Sequence, residues 1–305
     1  MELVNTIITE YLPMEFDLND VSFISITTSN PVYLVFINES TPSYVIHELK
    51  GNEHLGILKL RKELYSVLAE SVAKPYGITK IDSVYYFIES GLNGKPWFQL
   101  VSALKNEAAW LDIKRKAKES LNYFKDAISN EDKWCKVINL ASELKTQFLE
   151  TQQCNRLLIP EVESLVNKLS DILIDVNELN GTSQHCDYCI NNLLFDKNRA
   201  YIIDLEEFGQ TSVPLQDELS LALSFYLIKP DDDKSTLKSI IFDCISDCGY
   251  SNDELKEILP SLYLYHLLFR LGDWGNNARR EKFCQWITDL LNEFVINPEC
   301  FFDID

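Results

Sequence analysis

The chain has 305 residues, enough for one large domain or two modest ones, and its 46% apolar and 25% charged residues are an ordinary globular balance. Its 28 basic residues stand against 47 acidic ones, a net charge of −19, which argues against nucleic acid or an anionic membrane as the main partner, since both reward Lys and Arg clusters. No run of roughly eighteen apolar residues offers a transmembrane helix, and the acidic start MELVNTIITEYLPMEFDLND lacks the basic region of a signal peptide, so a cytoplasmic protein is expected.

In chain order, the first ninety or so residues read mainly as strands. Val21 to Ile26, Val32 to Ile37, Tyr44 to Leu49 and Val84 to Ile88 are rich in β-branched and aromatic residues. Polar punctuation at Ser29-Asn30-Pro31 and over residues 38–43 separates the first three. One helix interrupts them, about Leu55 to Ser71, with Leu58, Lys59, Lys62, Glu63 and Glu70 at interleaved positions, and Pro75 ends that region. The glycine-bearing stretch 89–94 follows the aromatic strand. From Gly94 onward the pattern is helical except around one hairpin. Trp134 to Phe148 carries Val137, Leu140, Ala141, Leu144 and Phe148 as an apolar stripe, and Val162 to Leu173 repeats that spacing. Further helices are predicted at Asp217 to Leu227, Lys234 to Ile245, Asp253 to Leu271 and Ala278 to Phe294, with a break over residues 229–233. These stripes read as core.

The exception is Gly181 to Gly209, GTSQHCDYCINNLLFDKNRAYIIDLEEFG. His185, Asp187 and Asn192 read H-x-D-x-x-x-x-N, and Asp204 follows the Asn by twelve residues. Leu193-Leu194-Phe195, the polar turn 196–199 and the apolar run from Ala200 to Ile203 form a hairpin signal. Asn192 opens the first strand and Asp204 closes the second, so their side chains are expected at one end of an antiparallel pair. Two metal-capable oxygens and a candidate base then lie close together in the chain. The spacing is that of the protein-kinase catalytic loop, where the Asp accepts the substrate hydroxyl's proton and the Asn and a second Asp hold Mg²⁺. Cys186 stands for the kinase Arg, and Asp204-Leu205-Glu206 for D-F-G.

H-x-D-x-x-x-x-N-x-L-F-D followed by I-I-D-x-E resembles the aminoglycoside phosphotransferase and choline kinase family of small-molecule kinases. That family usually has Gly where this chain has Cys186, and it often continues with a Pro and an Asp, matched by Pro214 and Asp217. The resemblance implies a bilobal, protein-kinase-like α+β fold, with a small β-rich lobe over residues 1–93 and a larger, mostly helical lobe over residues 94–305. It implies ATP and Mg²⁺ as cofactors, Asp187 and His185 in the catalytic loop, and Asn192, Asp204 and Glu206 at the metal. An Asp of ordinary acidity is a poor ground-state base, so Asp187 is read as positioning the hydroxyl, His185 as bracing the loop, and Asp217 as an N-cap or loop anchor. Glu206 is read either as reaching a second metal or its water, or as a solvated acid.

By the same resemblance, the family's strand Lys aligns with His47, with Glu63 on the following helix as partner; Lys50 is the alternative cation. Ser29 and Asn30 belong to the turn that would cover phosphates, although no G-x-G-x-x-G is present. Glu89 and Gly91 belong to the inter-lobe hinge. The acceptor is expected to be a small molecule, its identity and the oligomeric state being left open. Glu207, Asp273 and Trp274, with Trp286 and the acids at 231–233, would suit a cationic acceptor through ion pairing and cation–π attraction. Two other readings stand beside this one. The missing strand Lys would also suit a kinase-like binding protein of weak or no activity. Cys186 and Cys189, with Cys244 and Cys248, would suit a zinc or thiol site.

Overall fold

A computed structural model describes residues 2–11, 17–26, 30–51, 54–100, 106–154, 159–173, 178–228, 234–274, 280–298 and 302. The chain divides into two compact units, Met1–Ala127 with Asn191–Asp204, and Ile128–Ile190 with Leu205–Asp305. The first unit therefore extends past the expected boundary at residue 93 and also takes in the later hairpin.

In the first unit, β1 (Val21–Ile26), β2 (Val32–Ile37), β3 (Tyr44–Leu49), β4 (Pro75–Ile81) and β5 (Val84–Ser90) form an antiparallel sheet in the order β1-β2-β3-β5-β4. Pro75, expected only as a stop, is the first residue of β4. An edge strand tolerates that proline because one side of the strand has no ladder to feed. The segment before β1, which gave no helical expectation, is α1 (Glu2–Tyr11). Its Val4, Ile7 and Ile8 recur at helical spacing and bury against Val35, Tyr44, Ile46, Tyr86 and Ile88 of one sheet face. Helix α2 (Ile57–Leu68) follows Gly56, whose φ of 88° favours glycine, and buries Leu64 and Leu68. Beyond it lie the short β6 (Lys95–Pro96), the long α3 (Glu107–Ser129), and the hairpin of β9 (Leu193–Phe195) and β10 (Ala200–Ile202). The order β10-β9-β6 explains why the hairpin belongs to this unit.

The second unit is mostly helical. Among the described residues, a two-stranded ribbon pairs β7 (Cys135–Ile138) with β8 (Leu179–Thr182). The helices are α4 (Leu140–Cys154), α5 (Pro160–Ile172), α6 (Gln216–Ile228), α7 (Lys234–Ile245), α8 (Asn252–Trp274) and α9 (Glu281–Ile296). The helix predicted from Trp134 thus begins only at Leu140. The apolar spacing ran across a strand into a helix, and Val137 is 64% exposed rather than in the core. Ala278, the predicted start of the last helix, lies outside the described residues. Among the described residues no helix is long and apolar enough to cross a membrane.

The α1 contact carries a measurable expectation. Ile8 has no exposed surface, so Ile8→Ala should cost about 2–5 kcal/mol, while Ile24→Ala on the exposed edge strand should stay near 0.5 kcal/mol. Urea unfolding of both variants checks this, and equal costs would contradict the packing of α1 on the sheet.

Candidate functional site

The H-x-D loop leaves β8 and is tied to its surroundings by main-chain bonds. Ser183 N donates to Trp134 O at 2.8 Å, Gln184 N to Thr211 O at 3.1 Å, and Gly209 N to Gln184 O at 2.8 Å. The decisive contact comes from a side chain. Asp217, at the first turn of α6, is fully buried and accepts His185 N on Oδ2 at 2.8 Å and Cys186 N on Oδ1 at 2.9 Å. Burial, helped by neighbouring Glu218, pushes its carboxyl up to about 7 despite those two donors. Of the two roles read from the sequence, Asp217 occupies that of loop anchor.

Cys186 sits at φ 70°, the left-handed region where a glycine is at ease, which accounts for the Gly usual at this position in the family pattern. Its buried thiol donates to Gln184 O at 3.3 Å and is pushed up to about 12 by burial and by Asp217. It is a protonated core thiol rather than a reactive one. Cys244 is buried and Cys189 and Cys248 are half-buried, and none of the three is in a disulfide. Among the described residues no group of three or more His, Cys, Asp or Glu side chains is placed to hold a metal ion.

His185 has no exposed surface, and its Nδ1 accepts Asp187 N at 3.3 Å while its ring meets Tyr188 edge-on at 5.6 Å. That geometry braces the loop. Asp187 keeps 17% of its side chain exposed and is met by Arg270 of α8, whose Nη2 lies 3.3 Å from Oδ1. Arg270 is 2% exposed, donates also to Ser220 Oγ, and faces Glu207 Oε2 at 3.5 Å. Arg280 approaches the other oxygen of Glu207 at 3.8 Å. Sequence reading did not find Arg270, although its signal was visible: a single cation inside the apolar run LYLYHLLFRL, where a buried charge must find partners. The same contacts change the picture of Glu207. The carboxylate expected to face a cationic acceptor already faces two guanidinium groups of its own chain.

In the first unit, Ile203 N donates to Asn192 O at 3.0 Å, extending the β9–β10 ladder one step beyond Leu193 and Ile202. Asn192 and Asp204 therefore emerge at the same end of the hairpin, where a φ of 59° at Asp204 turns the chain. Asn192 is half-buried and Asp204 exposed. An amide and a carboxylate at one end of a hairpin supply hard oxygen donors of the kind Mg²⁺ takes, an ion that needs only one or two carboxylates. The hairpin tip is built by Asp196, whose Oδ1 accepts Asn198 N at 2.7 Å and Arg199 N at 2.8 Å. Glu206 lies exposed on the turn Leu205–Glu207 of the second unit.

The strand cation is placed differently from expectation. His47 Nε2 donates to Glu89 Oε1 of β5 at 2.9 Å, whereas Glu63 ion-pairs with Lys59 at 3.9 Å. The register explains it: Phe87 lies opposite His47 and Glu89 opposite Val45, so His47 and Glu89 are diagonal neighbours on one sheet face. Burial would raise the Glu89 carboxyl, but the His47 hydrogen bond and the Arg61 and His47 charges outweigh it and hold the carboxyl low. Arg61 is a buried residue of α2 whose guanidinium lies over the Phe87 ring at 5.8 Å. Lys50 is exposed just past β3, and Asn30 is half-buried before β2. Gly91 has a packing reason to be glycine, since a Cβ there would fall 1.6 Å from Pro42 O. Ser29 and residues 231–233 lie outside the described residues, as do the side chains of Asp273 and Trp274. Trp286 is half-buried on α9.

No protein-family model matches this sequence, and no curated protein matches it. Solved structures do match the fold. A Ralstonia eutropha protein assigned as an aminoglycoside phosphotransferase superposes at a TM-score of 0.61, with 13% identity over 97% of this chain and 98% of that one. A choline kinase from Streptococcus pneumoniae gives 0.54 at 14% identity, covering 97% of this chain and 98% of that one. A glucosamine kinase in complex with glucosamine, ADP and inorganic phosphate gives 0.53 at 10% identity, covering 90% and 76%. The fold is protein-kinase-like. It is the α+β architecture expected from the sequence, with a β-rich first part and a mostly helical second part.

The Asp217 anchor makes a pH-dependent prediction. Its folded value of about 7 lies above the ordinary 3.9 or so of an unfolded Asp, so between those values the folded chain holds the proton more tightly. Its contribution is fully present below about pH 4 and is lost as pH rises through about 7. Asp217→Asn should remove that slope and, by leaving one main-chain N–H without an acceptor, cost about 1–3 kcal/mol. Denaturant titrations at a series of pH values check this; parallel curves for parent and variant would contradict it.

Proposed function

We propose that the chain is an ATP- and Mg²⁺-dependent phosphotransferase acting on a hydroxyl group of a small molecule. The observation that carries this reading is the H-x-D loop itself. Buried Asp217 holds its main chain in a left-handed turn at Cys186, and Arg270 bonds to the Asp187 carboxylate. A loop fixed at that expense around one partly exposed acid is what positioning catalysis requires. The kinase-like neighbours, one of them solved with ADP, support a nucleotide as phosphoryl donor.

In this reading Asp187 orients the acceptor hydroxyl and takes its proton late, once the bond to phosphorus has largely formed, because the transition state is loose. Arg270 fixes the carboxylate rotamer. Asn192 and Asp204, on the hairpin that follows the loop directly in sequence, are the residues that would hold Mg²⁺, with Glu206 as a further oxygen. Bound there, the ion neutralises charge on the nucleotide phosphates. Because ATP approaches a chain of net charge −19, that neutralisation is needed more than in a basic protein. ATP supply and seven cysteines outside any disulfide among the described residues suit the cytoplasm.

A second reading is a kinase-like nucleotide-binding protein of weak activity, favoured by His47: the residue in the strand-cation position is hydrogen-bonded to Glu89. Two variants separate them. Asp187→Asn should lower turnover by about 10²–10⁴-fold while ATP still binds. Asp204→Ala should abolish the Mg²⁺-dependent part of the thermal shift given by ATP, which for the parent at about 100 times Kd amounts to about 2.7 kcal/mol. ATP hydrolysis and transfer assays with thermal-shift titration measure both. Unchanged turnover in Asp187→Asn contradicts the catalytic assignment, and an intact Mg²⁺ effect in Asp204→Ala contradicts the metal assignment.

A further inference from the structure

The first unit contains a cleft of about 490 Å³, within the size range of small-molecule sites. Three pieces of chain line it: the turn 69–71 that follows α2, one face of α3, and Arg199 with Ala200 at the start of β10. Lys116, Glu119, Ser120 and Tyr123 are three and four residues apart, which puts them on one face of α3. The Tyr123 hydroxyl lies 3.5 Å from both Val67 O and Leu68 O, so the polar end of the ring is held against α2 while 44% of the residue stays exposed. None of His47, Asp187, Asn192 and Asp204 lines this cleft.

Two polar groups of the lining are buried. Lys116, 6% exposed, directs its ammonium at Asp112 Oδ2, 2.7 Å away, and at Asp196 O, 3.0 Å away, which occupies two of the three N–H donors of a Lys. Ser120, one helical turn on and 8% exposed, has a buried Oγ with no hydrogen-bond partner among the described residues. Other helical hydroxyls of this chain behave differently: Ser66, Thr151, Ser224 and Thr288 each bond a carbonyl one turn earlier. The hairpin tip brings a second cation, because Asp196 N donates to Arg199 O at 3.0 Å while Asp196 O holds Lys116. The Arg199 guanidinium meets Glu70 at 3.1 Å with both side chains open to water, a kind of pair that contributes little and exchanges readily.

We propose that this cleft binds a small amphipathic monocarboxylate, its oxygens on the Lys116 ammonium, the Ser120 hydroxyl and the Arg199 guanidinium, and its apolar body over exposed Ala69 and the Tyr123 ring. A carboxylate is an acceptor-only group, the complement of an idle hydroxyl donor, and it fits the planar Arg fork. It takes the place of Glu70 on Arg199. Charge balance selects a single negative charge. The ion pairs around the cleft set Arg115, Lys116 and Arg199 against Asp112, Glu119 and Glu70, so a dianion would meet uncompensated repulsion from the two acids of the lining. The inference does not depend on phosphoryl transfer.

Ligand-observed NMR titration of the full chain with 4-phenylbutyrate tests the proposal, with 4-phenylbutan-1-ol as its neutral counterpart. One saturable site is expected for the carboxylate and none for the alcohol. Arg199→Gln should weaken binding by about tenfold or more and Ser120→Ala by about threefold or more. Lys168→Gln, an exposed cation of α5, should change nothing. Ser120→Ala removes no hydrogen bond from the fold, so its melting temperature should match the parent's, and lost affinity there reports the cleft rather than unfolding. No saturable binding of 4-phenylbutyrate would overturn the proposal. So would an affinity unchanged in either cleft variant, an equal loss in Lys168→Gln, or binding of the alcohol as tight as that of the acid.

Discussion

One buried carboxylate sets the geometry on which the loop depends. Asp217 accepts two consecutive main-chain N–H groups, at His185 and Cys186, and in doing so stabilises a left-handed turn at a residue that is not glycine. The three facts support one another. A cysteine at φ 70° is strained by about 1–2 kcal/mol, and two main-chain hydrogen bonds to the buried Asp217 side chain offset that cost. The turn in turn lets Asp187 N reach His185 Nδ1 and presents the Asp187 carboxylate to Arg270. Burial, the largest influence on the carboxyl, raises it to about 7 against the lowering effect of those two bonds.

Charge is also rearranged in the sheet unit. A strand cation paired to a helix acid was expected, and the pairing is reversed: the acid, Glu89, is on β5, and the helix supplies the buried cation, Arg61. His47 donates a hydrogen bond to Glu89, whose second oxygen is buried with no hydrogen-bond partner among the described residues.

Short-range patterns made much of this visible in advance. The H-x-D-x-x-x-x-N spacing and the hairpin were legible because a turn of fixed length dictates which residues end together, and the observed Ile203–Asn192 bond lies where that logic put it. The three central strands were legible from composition, and Asp217 from the Pro–Asp pair that follows the loop. What was missed depends on distant partners. Val4, Ile7 and Ile8 look unremarkable until the sheet face they cover is known. Residues 135–138 continue a helical stripe in sequence, yet they pair with β8, some forty residues away. Arg270 lies eighty-three residues beyond Asp187, and the diagonal placement that joins His47 to Glu89 rather than Glu63 exists only once β3 and β5 are in register.

The claim that most of this account rests on is that Asp217 holds the loop through two specific amides. Residue-resolved hydrogen exchange of His185 and Cys186 N–H, in the parent chain and in Asp217→Ala, measures it directly. Both amides should exchange slowly in the parent, with protection close to that of the α6 core, and should lose most of that protection in the variant while α6 keeps its own. Fast exchange of these two amides in the parent, or protection unchanged by Asp217→Ala, would contradict it.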